Sequence, residues 1–137
     1  MMKPVLLDTH AWVWYALADS QLSSAAKKAA DEALAKGILH VATISLWEIS
    51  MLAKKGRITL GRPCQEWLKD AISIPPMHVV ALTPEIAAES AEISQALFDP
   101  ADSMIMAIAR VDGFTLVTRD RKMLDYAKKH VVATVAA

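Results

Sequence analysis

The chain has 137 residues, 54% apolar and 22% charged, and its 15 basic and 15 acidic side chains cancel. That length suits one domain with a real core, and the apolar fraction excludes a disordered chain. Zero net charge excludes the global positive field that marks many nucleic-acid binders. No run approaches the ~20 apolar residues of a membrane-spanning helix. Lys3 and the run Val5 to Leu7 hint at a signal peptide, but Asp8 and His10 interrupt it, and no small-residue cleavage site follows. The single cysteine, Cys64, excludes an internal disulfide and a cysteine-based zinc site. One cytoplasmic domain spanning residues 1–137 is the expectation.

Along the chain, short apolar runs alternate with helical patterns. Pro4-Val5-Leu6-Leu7 reads as a buried strand, followed by a helix from His10 to Ala18. Ser23 to Lys36 opens on serines and stops at Gly37, the punctuation of a helix. Ile38 to Ala42 reads as a strand and Ser45 to Lys55 as a helix ended by Gly56. Gly61-Arg62-Pro63 precedes a helix from Gln65 to Ser73, which Pro75-Pro76 ends. His78 to Leu82 is a third strand, and Thr83-Pro84 starts the next helix with an N-cap and an N1 proline. Asp99-Pro100 opens a helix that runs to Gly113. Phe114 to Thr118 is a fourth strand, Arg121 to Lys129 a helix, and Val131 to Val135 a fifth strand.

Fully apolar strands alternating with helices predict a three-layer α/β/α sandwich around a parallel sheet of four or five strands. In open sheets of this kind ligands bind beyond the carboxyl ends of the strands. Basic residues cluster between Arg110 and Lys129, and again at Lys54, Lys55, Arg57 and Arg62. Either cluster reads equally well as a solvated face.

The acids near the strand ends carry the chemistry. Asp8 closes the first strand, Asp120 lies just past the fourth, and Asp102 sits in the first turn of its helix. Each alone reads as a helix cap or a first-turn acid favoured by the helix dipole. Glu48 resists that reading, because its helical neighbours Ile44, Met51 and Leu52 put it on an apolar stripe without a local base. A buried carboxylate needs a cation or several donors. Two carboxylates ~4 Å apart repel by about 4 kcal/mol at an effective dielectric near 20. Four on one rim therefore call for a hard divalent cation, which suits phosphodiester hydrolysis.

Other chemistries find little support. Gly37, Gly56, Gly61 and Gly113 form no nucleotide-binding loop, and His10, His40, His78 and His130 lack zinc spacing. His40 and His78 fall within strands as packed or edge residues. Ser45 and Ser103 have no nucleophile elbow around them. Trp12, Trp14, Tyr15 and Trp47 are core residues or, in part, a partner-facing surface.

At these residues the chain resembles PIN-domain ribonucleases, specifically the VapC-type toxins of bacterial toxin–antitoxin pairs. The resemblance covers nearly the whole chain, through Leu6-Leu7-Asp8-Thr9-His10-Ala11, Ser45-Leu46-Trp47-Glu48-Ile49, Leu82-Thr83-Pro84-Glu85-Ile86-Ala87, Asp99-Pro100-Ala101-Asp102 and Leu116-Val117-Thr118-Arg119-Asp120. It implies an endoribonuclease dependent on Mg²⁺ or Mn²⁺, with Asp8, Glu48, Asp102 and Asp120 as catalytic, metal-holding acids. Thr9, Asp99 and Thr118 would support them, and Arg119 and Arg121 would hold the RNA backbone. It also implies a homodimer and a cognate antitoxin. Ser103 stands where the family commonly has a basic residue, and Leu97-Phe98 where a histidine or basic residue often precedes the Asp-Pro pair. Three alternatives remain: a non-catalytic interaction module, a dehalogenase-type phosphohydrolase and a receiver domain. His10 counts against the second, which needs an acid there. Thr83-Pro84 counts against the third, which needs an acceptor Asp after the third strand.

Overall fold

The computed structural model describes residues 2–73 and 77–137. Pro75-Pro76, the expected stop of a helix, lies outside the described residues. In chain order the elements are β1 (Val5–Leu7), α1 (Thr9–Ala16), α2 (Ser24–Ala35), β2 (Leu39–Ala42), α3 (Thr43–Lys54), α4 (Cys64–Ser73), β3 (His78–Val80), α5 (Pro84–Leu97), α6 (Pro100–Asp112), β4 (Thr115–Thr118), α7 (Arg121–Lys129) and β5 (Thr134–Ala136). The strands pair in parallel in the order β3-β2-β1-β4-β5. The predicted parallel α/β/α sandwich is present, with five strands.

The pleat divides the core. Val5 and Leu7 face a layer containing Trp12, Ala26, Ala30, Ile49 and Trp67, from α1 to α4. Leu6 points the other way, toward Ile86, Ile93, Ile105, Met106 and Met123 of α5, α6 and α7. Both layers exclude water from β1, where all three residues are essentially inaccessible, as expected of a central parallel strand.

Three expected boundaries shift for local reasons. The helix after β1 stops at Ala16 because Ala18 turns left-handed at φ 53°, which lets the Asp19 and Ala18 amides donate back to Trp14 and Tyr15. Val131 does the same after α7 (φ 58°), with the Val132 amide donating to Ala127, so β5 starts only at Thr134. The chain passes directly from β2 into α3 at Thr43, two residues early, with no side-chain cap. Gly37 and Gly113 end α2 and α6 as expected, each with a positive φ. The expectation of fully apolar strands fails at the sheet edges. His78 and Val79 of β3 are exposed, as are Thr134 and Ala136 of β5, because edge strands are covered less than central ones.

The aromatic cluster divides as well. Trp12 is fully buried with its ring centroid 6.0 Å from that of Trp67, while Trp47 on α3 is 58% exposed. His78 stands on the edge strand β3 and packs on His40 of β2, their rings stacked 5.0 Å apart.

Candidate active site

The register delivers the first acid. Leu7 pairs with Val41 on one side and Val117 on the other, so β1, β2 and β4 end together. The Asp8 amide donates to the Val117 carbonyl (3.0 Å), fixing Asp8 at that edge. One carboxylate oxygen of Asp8 accepts the Ala11 amide at 2.8 Å and caps α1. Asp99 caps α6 through the Asp102 amide (3.0 Å), and Asp120 caps α7 through the Met123 amide (2.9 Å). Capping and cleft-lining are thus compatible roles, because each cap bond occupies one oxygen of its carboxylate. Three helix N-termini also meet at this edge, where their dipoles favour negative charge.

Asp8, Thr9, His10, Trp14, Glu48, Asp99, Asp102, Arg119 and Asp120 line one cleft of about 310 Å³. All four acids expected to act together are there, with Asp99 as a fifth. Glu48 reaches it from the middle of α3, half-buried and with one oxygen accepting the Thr9 hydroxyl. The Thr9 and Ser45 hydroxyl oxygens are 2.9 Å apart. Because the Thr9 proton goes to Glu48, Ser45 must donate to Thr9. Ser45 stands three residues before Glu48 on the same face of α3, a spacing that could have revealed this link in advance. Thr118 is buried behind the cleft and accepts the Asp120 amide at 3.1 Å.

The electrostatics are those of gathered negative charge. Burial raises the Asp8 pKa, against the opposing influence of the Thr118 hydroxyl and the Ala11 amide. Burial likewise raises Glu48, with Asp99 and Asp8 adding to the effect and the Thr9 hydroxyl opposing it. Asp102 is pushed up to about 7, first by burial and then by Asp99, Glu48, Asp120 and Asp8. Among the described residues no ion pair involves any of these acids.

The lining guanidinium of Arg119 is already engaged. Its Nε donates to the Ala137 carbonyl (2.9 Å), a terminal nitrogen donates to the Gln21 carbonyl, and the group stacks over Trp14 at 4.3 Å. Arg121, expected beside it, is exposed and does not line the cleft. Ser103, in place of the family's basic residue, is fully buried and donates to the Asp99 carbonyl at 2.8 Å. His10 and Trp14 line the cleft without having been singled out for it.

The acids offer only oxygen donors, which suits a hard cation, and among the described residues no ion pair compensates their negative charge. Among the described residues, however, no three His, Cys, Asp or Glu side chains are arranged to hold a metal ion. The set therefore fits an ion that keeps several of its waters rather than one held in an all-protein cage.

A parallel five-stranded sheet with an acid-lined cleft at its carboxyl edge defines the class, and residues 5–129 match the PIN domain. The chain belongs to the PIN domain family. It is 37% identical to Ribonuclease VapC22 of Mycobacterium tuberculosis over 123 residues, which cover 89% of this chain and 91% of that protein. In fold it resembles a toxin–antitoxin complex from Klebsiella pneumoniae (TM-score 0.61, 21% identity, 88% of this chain and 89% of that one). It also resembles VapBC2 from Rickettsia felis bound to a promoter DNA fragment (TM-score 0.66, 16% identity, 97% and 98%).

Proposed function

We propose that this protein is an endoribonuclease dependent on Mg²⁺ or Mn²⁺ and the toxin of a toxin–antitoxin pair. The observation that carries this reading is the convergence of five carboxylates on one cleft with no ion pair among them. The likeness to Ribonuclease VapC22 supplies the substrate class.

Asp8, Asp102, Asp120 and Glu48 would hold the cation, directly or through water, with Asp99 alongside. When bound, the cation supplies positive charge to the scissile phosphate and to the attacking water. Thr9, itself held by Ser45, fixes the Glu48 carboxylate so that its free oxygen can orient that water. Thr118 holds the turn that presents Asp120. Arg119, fixed by two carbonyls and Trp14, offers a preset cation for the RNA backbone at the cleft wall.

The partners in this reading are RNA, a cognate antitoxin and a second copy of the chain. The exposed Trp47 and Leu82 offer apolar surface for association. A basic antitoxin side chain entering the cleft would replace the charge of the metal and inhibit without changing the fold. No helix among the described residues is long and apolar enough to cross a membrane; the cytoplasm is the location this reading assigns.

RNA incubated with the protein and Mg²⁺, Mn²⁺ or EDTA tests the proposal. Internal cleavage with an ion, abolished by EDTA and by Asp102→Asn, is the expected result. Lack of cleavage with either ion would overturn it in favour of a non-catalytic module.

A further inference from the structure

We propose that a groove beside the cleft, between the α5–α6 turn and α7, is a stacking subsite for one unpaired base of the RNA. This rests on the ribonuclease reading for the identity of the strand, but its test is separate.

Phe98 is 73% exposed and stands at φ 64° and ψ −37°, a positive-φ turn conformation that is costly for a bulky side chain. Backbone strain of this kind tends to be held where a site requires it. The strained turn presents an aromatic face to solvent immediately before Asp99. The Lys122 ammonium lies 6.0 Å from the centre of the Phe98 ring, within cation–π range. Across the groove the Tyr126 and His130 rings stack 4.0 Å apart at 21°. With Lys129 and Asp125 they border a space of about 400 Å³, within the range of small-molecule sites.

The groove adjoins the cleft through the chain itself. Phe98 precedes Asp99, and Lys122 follows Asp120 by two residues. Asp99 and Asp120 line the cleft, while Phe98 and Lys122 line the groove. The charges are complementary to a strand crossing both spaces. The cleft is anionic and repels phosphate except where a cation sits, whereas the groove places two lysines against one aspartate. An aromatic face flanked by lysines suits a base and its adjoining phosphates. A paired base keeps its faces inside the duplex, so the occupant is single-stranded.

The test uses the whole protein in EDTA at low salt. Its probes are a labelled twelve-nucleotide single-stranded RNA and a ribose–phosphate strand of equal length lacking bases. Wild type should bind the RNA more tightly than the baseless strand. Phe98→Ala should weaken RNA binding by about tenfold and leave the baseless strand unaffected. Phe98→Trp should keep the wild-type preference. Lys122→Ala should weaken both strands and reduce the salt dependence by about one counterion. Because Phe98 is exposed, equal melting temperatures for all variants are expected.

Phe98→Ala binding RNA as wild type does, or weakening both strands equally, would overturn the proposal. So would wild type binding neither strand, or binding both equally. Loss of self-association in Phe98→Ala with RNA affinity unchanged would assign the face to a second copy instead. RNA affinity sensitive to Phe98 in a protein that cuts no RNA would keep the subsite and remove the nuclease. Cleavage with Phe98-insensitive binding would do the reverse.

Discussion

Asp31 and Asp102 are the same side chain in opposite circumstances. Asp31, exposed on α2, accepts the Lys27 ammonium at 2.9 Å and the Tyr15 hydroxyl at 2.7 Å, and these partners hold its pKa below the usual carboxylate range. Asp102, half-buried on α6, has four other acids around it and is pushed up to about 7. The outer surface repeats the first pattern, with Asp70 against Arg62 and Glu89 against Arg110. Basic residues were thus available to neutralise acids one turn or one helix away. Among the described residues the cleft carboxylates gather without an ion pair, the lining Arg119 being engaged elsewhere. Such a site is suited to a ligand that brings its own positive charge.

The largest effect should come from breaking the cleft side of that contrast. Glu48→Gln and Asp102→Asn keep shape and remove charge, so RNA cleavage should fall by roughly 10²-fold or more. Metal-free stability should hold or rise. A Glu48→Gln protein that cleaves normally would remove that residue from the site. One that loses about 3–5 kcal/mol would show that it pairs with a buried cation.

Adding the missing charge should stabilise what is left. Millimolar Mg²⁺ or Mn²⁺ should raise the melting temperature of wild type, by about 2.7 kcal/mol of stability at a hundredfold excess over the dissociation constant. Asp102→Asn should lose most of that response. Melts unchanged by both ions would count against a cation site.

The pH dependence sharpens the comparison further. Folded Asp102 binds its proton more tightly than the unfolded chain, where the value is near 3.8. The metal-free protein should therefore lose stability as pH rises from about 4 to about 7. After allowance for partial exposure this amounts to about 1 kcal/mol, or roughly 4 °C. Asp102→Asn should flatten the slope over this window. Asp31 has the reverse sign, stabilising above its unfolded value and ceasing to do so as pH falls through its depressed one. Asp31→Asn should cost only a few tenths of a kcal/mol, because the pair is solvated. Asp112→Asn, exposed at the far end of α6, should change neither melting nor cleavage.

Sequence reasoning reached the fold through its punctuation. Gly37, Thr83-Pro84, Asp99-Pro100 and Gly113 act locally, and each stands where a helix starts or stops. It reached the acids through topology, since residues that follow strands in a parallel sheet share one edge. It could not read the positive-φ turns at Ala18, Phe98 and Val131, where non-glycine residues take a conformation that their type disfavours. Nor could it separate Trp12 from Trp47. Both lie on helices rich in apolar residues, and only packing against Trp67 decides that the first is inside. Arg119 and Arg121 were equivalent in the sequence, and the direction of the chain leaving β4 distinguishes them.

The sheet order has a consequence for when the cleft can exist. β1 precedes β2 to β5 in the chain, yet it lies in the middle of the sheet and needs β4 on one flank. The Asp8 amide bonds to Val117, more than a hundred residues later in the chain. A ribosome must therefore translate through Asp120 before any copy holds all four acids in place. Nascent fragments carrying Asp8, Glu48 and even Asp102 have the parts of the cleft without its frame. The pairing of distant strands acts as a timer, and the cleft is complete only once the chain has been made through β4 and Asp120.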